Sequence, residues 1–426
     1  MKEDFLHHIW KTQLFNTQSL QTIAGESLEI RKTGSHNLHE GPDFLEASVL
    51  LDGIVWHGPV EIHIKSSDWL AHKHESDARY DSVILHVVWE ADVKIFRKDG
   101  SEIPTLALLG KIPLHLIRNY EKLSLSKTAI PCAHQLSSVK DIVLRSMLEE
   151  ALVARLYAKG NEFLTLLEQC HGDWEEASFR WLARCFGFKS NAAAWERLAE
   201  KLSFKIIRKH STNLLQLEAL IFGMSGLLQE DIDDPYASLL RREFSLLTHK
   251  YQLSSPLHAS EWKFMRIRPA SFPTLRMAQF AALCHHFPHL YSTFVDFESA
   301  DLLLKQLAKL EVSKYWQEHY HFGKPLKRRA KYMGKKSLEN ILLNMTPTLL
   351  AARAKSHDET SYFESAFGLL ELIKAERNYI TELWEALSVS CKTAYDSQSM
   401  IALYNQYCQA HKCLQCKVGA SLISAG

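Results

Sequence analysis

A chain of 426 residues and 48.9 kDa is long enough for two or three domains, each with its own core. Charged residues at 23% and hydrophobic ones at 46% give the profile of an ordinary globular protein, and a net charge of +1 means that a nucleic-acid partner would need a local basic surface. No run reaches the roughly 18 apolar residues of a membrane span, and "MKEDFLHHIW" opens with acids and no apolar run. Neither a membrane partner nor a secretory signal is therefore expected, and a cytoplasmic location is the default.

Up to about residue 108 the chain reads as short strands. "SLEIRKTG", "DFLEASVLLDG", "IVWHGPVEIHIK", "SVILHVVWEADVKIF" and "SEIPTLAL" carry period-2 or compact apolar runs, punctuated by Gly34, Gly41-Pro42, Gly53, Gly58-Pro59 and Asp99-Gly100. "EDFLHHIWKTQLF" and "DWLAHKHESDARY" suit helices. The sum is a small sheet with helices on it, an α/β or α+β domain over residues 1–125. Past Pro131 apolar residues recur at three and four, as in "VKDIVLRSMLEEALVARLYAKGNEFLTLLEQC" and "TLRMAQFAALCHHF". Residues 131–426 are thus expected to form a large, mostly helical region with room for two subdomains. No fixed-length repeat is visible.

In "VEIHIK", Val60, Ile62 and Ile64 share one face, and Glu61, His63 and Lys65 the other. Asp43 begins the preceding strand and reaches the same end of the sheet if the two strands pair. One carboxylate from each of two neighbouring strands is an economical way to hold a hard cation such as Mg or Mn. The plainer alternative is an amphipathic strand turning its polar side to water. "SSDWLAHKHESDARY" adds Asp68, His72, His74 and Asp77, and the last two, three apart, can share a helix face. A histidine there suits a general base or an outer-shell partner. His72, His74 and Asp77 acting directly as metal ligands of another hydrolase class is a further reading.

The order "GPDF … VEIHIK" resembles the core of the PD-(D/E)XK nuclease superfamily, with an Asp opening one strand and a Glu-x-Lys on the next. Asp43 matches the Asp and Glu61 the Glu; the Lys position falls on His63, with Lys65 two residues later on the same face. Glu3, on the opening helix, stands where the superfamily often adds an acid. The resemblance implies a restriction-endonuclease-like fold and metal-dependent phosphodiester hydrolysis of DNA or RNA. The histidine in place of lysine leaves open a catalytically inactive nucleic-acid-binding or scaffold protein. Over nearly the whole chain, "NLHEGPDFLEA", "WHGPVEIHIKSSDWLAHKHESDARYDSVILHVVW", "RPASFPTLRMAQFA" and "YNQYCQAHKCLQCKVG" together resemble a bacterial family, number 2851 in the domain-of-unknown-function series.

Of 8 cysteines, Cys391, Cys408, Cys413 and Cys416 crowd the last tenth of the chain. Two thiolates separated by two residues is a common chelating geometry. Cys132, in "IPCAH", can complete a four-thiolate zinc or iron–sulfur site, with Cys391 as the alternative fourth ligand and His411 as a third option for zinc. Some PD-(D/E)XK nucleases carry an iron–sulfur cluster on one distant cysteine and a C-terminal trio, a layout to which Cys132 with Cys408, Cys413 and Cys416 is similar. Lys324 to Lys336, "KPLKRRAKYMGKK", has seven Lys or Arg, no acid and an interleaved Tyr332, and is the best local candidate for DNA or RNA phosphates.

Overall fold

The computed structural model describes residues 1–229 and 232–426. The chain divides into two compact units. The first holds Met1–Glu150, Glu382–Val389 and Met400–Gly426; the second holds Ala151–Thr381 and Ser390–Ser399.

The first unit begins with helix α1 (Glu3–Thr12), whose Phe5, Leu6, Ile9 and Trp10 are buried along one side. Glu3 and Asp4 in its first turn complement the helix dipole, and Gln13 ends it in a left-handed conformation. Strands β1 (Leu20–Gln21), β2 (Ser27–Lys32), β3 (Ser35–His36), β4 (Phe44–Leu51) and β5 (Ile54–Lys65) follow. After them come a single helical turn, α2 (Asp68–Ala71), then β6 (Leu85–Glu90), β7 (Thr105–Ala107) and helix α3 (Leu114–Ser124). The strands lie in the order β1-β2-β4-β5-β6-β7, with β3 beside β4. Pairing is antiparallel as far as β5 and parallel for β5–β6 and β6–β7. The amide of Ile23, just past β1, donates to the Thr105 carbonyl of β7 at 2.8 Å, so the sheet is nearly a closed barrel.

Two local features set the geometry at the sheet centre. At the wide end of the β4–β5 hairpin Ala47 pairs with Gly58; one bulge later Phe44 pairs with Val60, and Glu46 takes a positive φ of 55°. The extra residue puts Asp43 in register with Glu61, a place that Phe44 would otherwise hold. At Gly58 the strand passes so close to the chain returning into β6 that an added Cβ would stand 2.5 Å from Ile84 Cγ2 and 3.0 Å from Ser82 O. Only glycine admits that approach.

"DWLAHKHESDARY" is not one helix. α2 stops at Ala71, Lys73 takes a φ of 61°, and two 3-10 turns follow at His74–Ser76 and Ala78–Tyr80. Asp77 caps the second turn through the Arg79 amide, so His74 and Asp77 share no helical face.

In the second unit, helices α4 (Asp141–Gln169; here from Ala151), α5 (Trp174–Phe186), α6 (Ala192–Lys201), α7 (Phe204–Lys209), α8 (Leu214–Met224), α9 (Pro235–Tyr251) and α10 (Pro273–His286) lead into further helices up to Thr381. The short strands β8 (His319–His321) and β9 (Lys324–Pro325) pair between them. Asp173 and Asp234 cap α5 and α9, and Pro235 sits in the first turn of α9. α8 is buried from Leu217 to Met224, as befits a helix apolar all round. One continuous core holds Phe179, Trp195, Phe222, Phe280 and Trp316, with Phe222 and Trp316 stacked at 4.9 Å. Several of its buried polar groups meet complementary partners. Arg276 donates to Gln279 at 2.8 Å and to Ser337 at 2.6 Å and lies over Phe188, Glu218 accepts from Tyr236, and Glu176 accepts the Phe204 amide at 2.8 Å.

Candidate metal centre

Two strands and one crossover build the site. β5 carries Glu61 and His63, β6 carries His86 opposite Glu61, and the excursion between them supplies His72 and His74. Strand parity alone would turn one side of "EIHIK" to water. Here Glu61 is 4% exposed and His63 1%, because the excursion folds back over that side; only Lys65, at the strand end, is exposed.

The ligand atoms of His63, His72 and His74 all lie within 4.8 Å of one another, the one such group of three or more His, Cys, Asp or Glu among the described residues. His63 Nε2 is 3.1 Å from His72 Nδ1 and 3.6 Å from Glu61 Oε1. His74 Nε2 is 3.3 Å from the same Glu61 oxygen but is not aligned for a hydrogen bond, and no other group takes it up. On the far side of its ring, His63 Nδ1 meets His86 Nε2 at 2.9 Å. With the proton on His63 Nδ1, that contact leaves the Nε2 lone pair facing His72 and His74, the way an outer partner orients a metal-binding imidazole.

Asp43 joins at the edge. Its amide donates to Glu61 Oε2 at 3.0 Å, and its Oδ2 accepts the Ile62 amide at 2.9 Å and lies 3.2 Å from His7 Nε2. Aromatic rings enclose the group: Tyr80 stacks on His74 at 3.8 Å, and Trp69 packs edge-on to both His74 and His86.

Burial dominates the electrostatics. It lifts the Glu61 carboxyl far above the carboxylate range, Asp43 and Glu3 adding to the effect against the opposing bond from the Asp43 amide. Burial and the neighbouring imidazoles push His63 down to about 2, and burial brings His86 to about 3, so both rings are neutral at ordinary pH. His74 is lowered by burial and by His72. At His7 burial also works downward, but the bond to Asp43 and the charges of Asp43, Glu3 and Asp4 together outweigh it and the ring is raised. Imidazoles thus face one another beside a buried acid, and neutral imidazoles keep their lone pairs available.

Of the other residues singled out in the sequence, Glu3 is half-buried, its carboxyl raised by burial and by Asp43. Asp68 accepts the Lys65 amide at 2.9 Å. Asp77 engages Arg79, which holds its carboxyl at about 2. His7 and His86 escaped the sequence reading: one is four residues after Glu3 on α1, the other a lone histidine in the apolar run "VILHVVW". That a polar residue interrupts a buried strand was the available signal.

Cys132, Cys408, Cys413 and Cys416 lie in the first unit as free thiols, while Cys391 belongs to the second. No three cysteines among the described residues meet the spacing of the histidine group. The seven basic side chains from Lys324 to Lys336 are all exposed in the second unit. Arg329 contacts Gln317 and Glu318, Lys335 lies 3.8 Å from Glu339, and Tyr332 donates to Glu311. Among the described residues no helix is long and apolar enough to cross a membrane.

No curated protein and no solved structure matches the chain. Residues 3–379 match the family described as "Protein of unknown function (DUF2851)", a span that takes in the whole histidine and carboxylate group, and the chain belongs to that family.

Proposed function

We propose that His63, His72 and His74, with Glu61 and Asp43 beside them, hold a divalent metal ion in a phosphodiester hydrolase acting on DNA or RNA, built on a nuclease-like N-terminal domain. The observation that carries this reading is the convergence of three imidazole nitrogens within 4.8 Å against a buried acid. Order along the chain supports the nuclease-like part: helix α1, the antiparallel strands β2, β4 and β5, a crossover, and a parallel β6. The donor set shifts the expected ion. Oxygen ligands alone suit Mg or Mn, whereas imidazoles favour zinc or iron, so a mixed set fits zinc, iron or manganese ahead of magnesium.

Such an ion supplies Lewis acidity and a water activated near neutral pH. The protein's own groups do the rest. Glu61, once deprotonated, would face such an ion as a carboxylate beside His63 and His74. His86 fixes the His63 ring, and Asp43, held by His7 and the Ile62 amide, presents a second carboxylate. Trp69 and Tyr80 keep bulk water from the inner side of the histidines. The exposed run from Lys324 to Lys336 is the proposed phosphate-binding surface.

The test is cleavage of mixed single- and double-stranded DNA and RNA with zinc, manganese, iron(II) or magnesium, wild type beside Glu61→Gln and His72→Ala. Product is expected from the wild type, with at least about a 100-fold loss in Glu61→Gln. Equal product from all three proteins, or none from metal-loaded wild type, would sink the hydrolase assignment. A second reading is favoured by one observation: His63 is buried and neutral where the superfamily pattern has a cationic lysine, and Lys65 points to solvent. A binding protein that keeps the metal without hydrolysis would retain nucleic acid and release no product.

A further inference from the structure

A second group of soft ligands lies in the first unit. Cys132 precedes the 3-10 turn Ala133–Ser138, Cys408 closes the turn Tyr404–Cys408, Cys413 opens the turn Cys413–Gln415, and Cys416 caps the C-terminal helix Lys417–Ser424. Cys132, Cys408 and Cys416 are 7–8% exposed, and Cys413 is half-buried. Each thiol lies within electrostatic reach of the other three, although more than 270 residues separate Cys132 from the trio.

The backbone around them is tightly held. The Cys416 amide donates to Cys413 O at 3.3 Å, and the His411 amide to Cys408 O at 3.1 Å. A Cβ on Gly419 would run into the Cys413 carbonyl, so the C-terminal helix packs directly on the turn. Lys417 contacts Met147 Sδ through its amide at 3.2 Å and Glu150 through its ammonium at 2.7 Å, while Asn119 of α3 reaches the carbonyls of Leu422, Ile423 and Ala425 at 2.9–3.3 Å. Cysteine used merely as a small hydrophobe packs against carbon. Four thiols gathered from two distant segments, with no disulfide among them, have a shared ligand as the simplest common cause.

We propose that Cys132, Cys408, Cys413 and Cys416 bind a thiophilic metal group, an iron–sulfur cluster or a zinc ion, which pins the C-terminal segment to the N-terminal unit. This centre is separate from the histidine group and takes no part in hydrolysis. A single tetrahedral zinc, with Zn–S near 2.3 Å, would set its sulfurs about 3.8 Å apart. No three of these thiols lie within 4.8 Å of one another, so a single zinc would have to draw them together, and metal analysis decides between zinc and iron with sulfide.

The full chain, purified anaerobically, is analysed for iron, sulfide and zinc, and its absorption is recorded before and after cobalt loading of any zinc form. Iron with matching sulfide and visible absorption meets the proposal and assigns the cluster. One zinc per chain whose cobalt form shows thiolate charge-transfer bands, which imidazole ligands do not produce, also meets the proposal and assigns the single ion. Cys416→Ser should lose the band and Cys185→Ser, in the other unit, should keep it. In the wild type, the four thiols should resist alkylation until a chelator is added and the C-terminal segment should then become protease-sensitive. This measurement holds even if the variant fails to fold. No thiolate band in wild type as isolated and after reconstitution, or an undiminished band in folded Cys416→Ser, would overturn the proposal.

Discussion

The two units bury ionisable groups differently. In the helical unit three meet a complement: Glu218 a tyrosine hydroxyl, Arg276 a glutamine and a serine, Glu176 an arginine and a backbone amide. In the sheet unit like also meets like, imidazole against imidazole and Glu61 beside Asp43. Complementary burial serves stability, since each desolvated group recovers a bond. Burial of imidazole with imidazole leaves lone pairs that a cation can take up.

The sharpest way to break this contrast is to damage each unit and ask whether the other responds. Trp316→Ala, which empties a fully buried site beside Phe222, should cost the helical unit about 3–5 kcal/mol in denaturant unfolding. Metal affinity at the histidine group should not move; a parallel fall in metal titrations would undo the separation. Next in size, His86→Phe removes the ring that orients His63 and should weaken metal binding by about 10–100-fold, read by competition with a chromogenic chelator. An unchanged affinity would leave His86 as simple packing.

Acid should also separate the units. His63 and His86 titrate at about 2 and 3 in the fold, against 6.5 for an ordinary histidine, so the unfolded chain binds more protons between those limits. Their contribution to stability is complete above pH 6.5 and is lost as pH falls towards 3. Glu61 acts in the opposite sense, its raised carboxyl costing stability as pH climbs above the ordinary carboxylate range. Metal-free protein should therefore show a falling urea midpoint from pH 6.5 downward, with a shallower slope in His86→Phe; parallel slopes would remove the histidines as the cause. The smallest effect concerns the basic run. Arg328→Ala should reduce the salt dependence of nucleic-acid binding by about one unit of logarithmic slope without altering metal uptake.

Much of the scaffold was legible because its signals are local. Alternation and glycine or proline punctuation marked β2, β4 and β5, and a single apolar stripe marked α1. The pairing of Asp43 with Glu61 was readable only as a possibility, because the bulge that sets it depends on Glu46 adopting a left-handed backbone that nothing in "DFLEASV" announces. The break at Lys73 is equally silent, and it turns an expected helix face into three separate turns. The burial of Glu61 and His63 is a tertiary fact, created by residues that come later in the chain. So is the packing of the C-terminal segment with the N-terminal unit, from which Cys132 gains its neighbours.

Parallel pairing of β5 with β6 obliges the chain to leave the sheet after Lys65 and return at Leu85, and this same stretch carries His72 and His74. Topology and two of the candidate ligands therefore occupy one segment, while the strands contribute Glu61, His63 and His86. A one-residue insertion or deletion between Ala71 and His74 would re-aim two imidazoles and leave every strand register intact. On this fold the placement of two candidate ligands thus depends on the length of one excursion, and the sheet has no need to change with it.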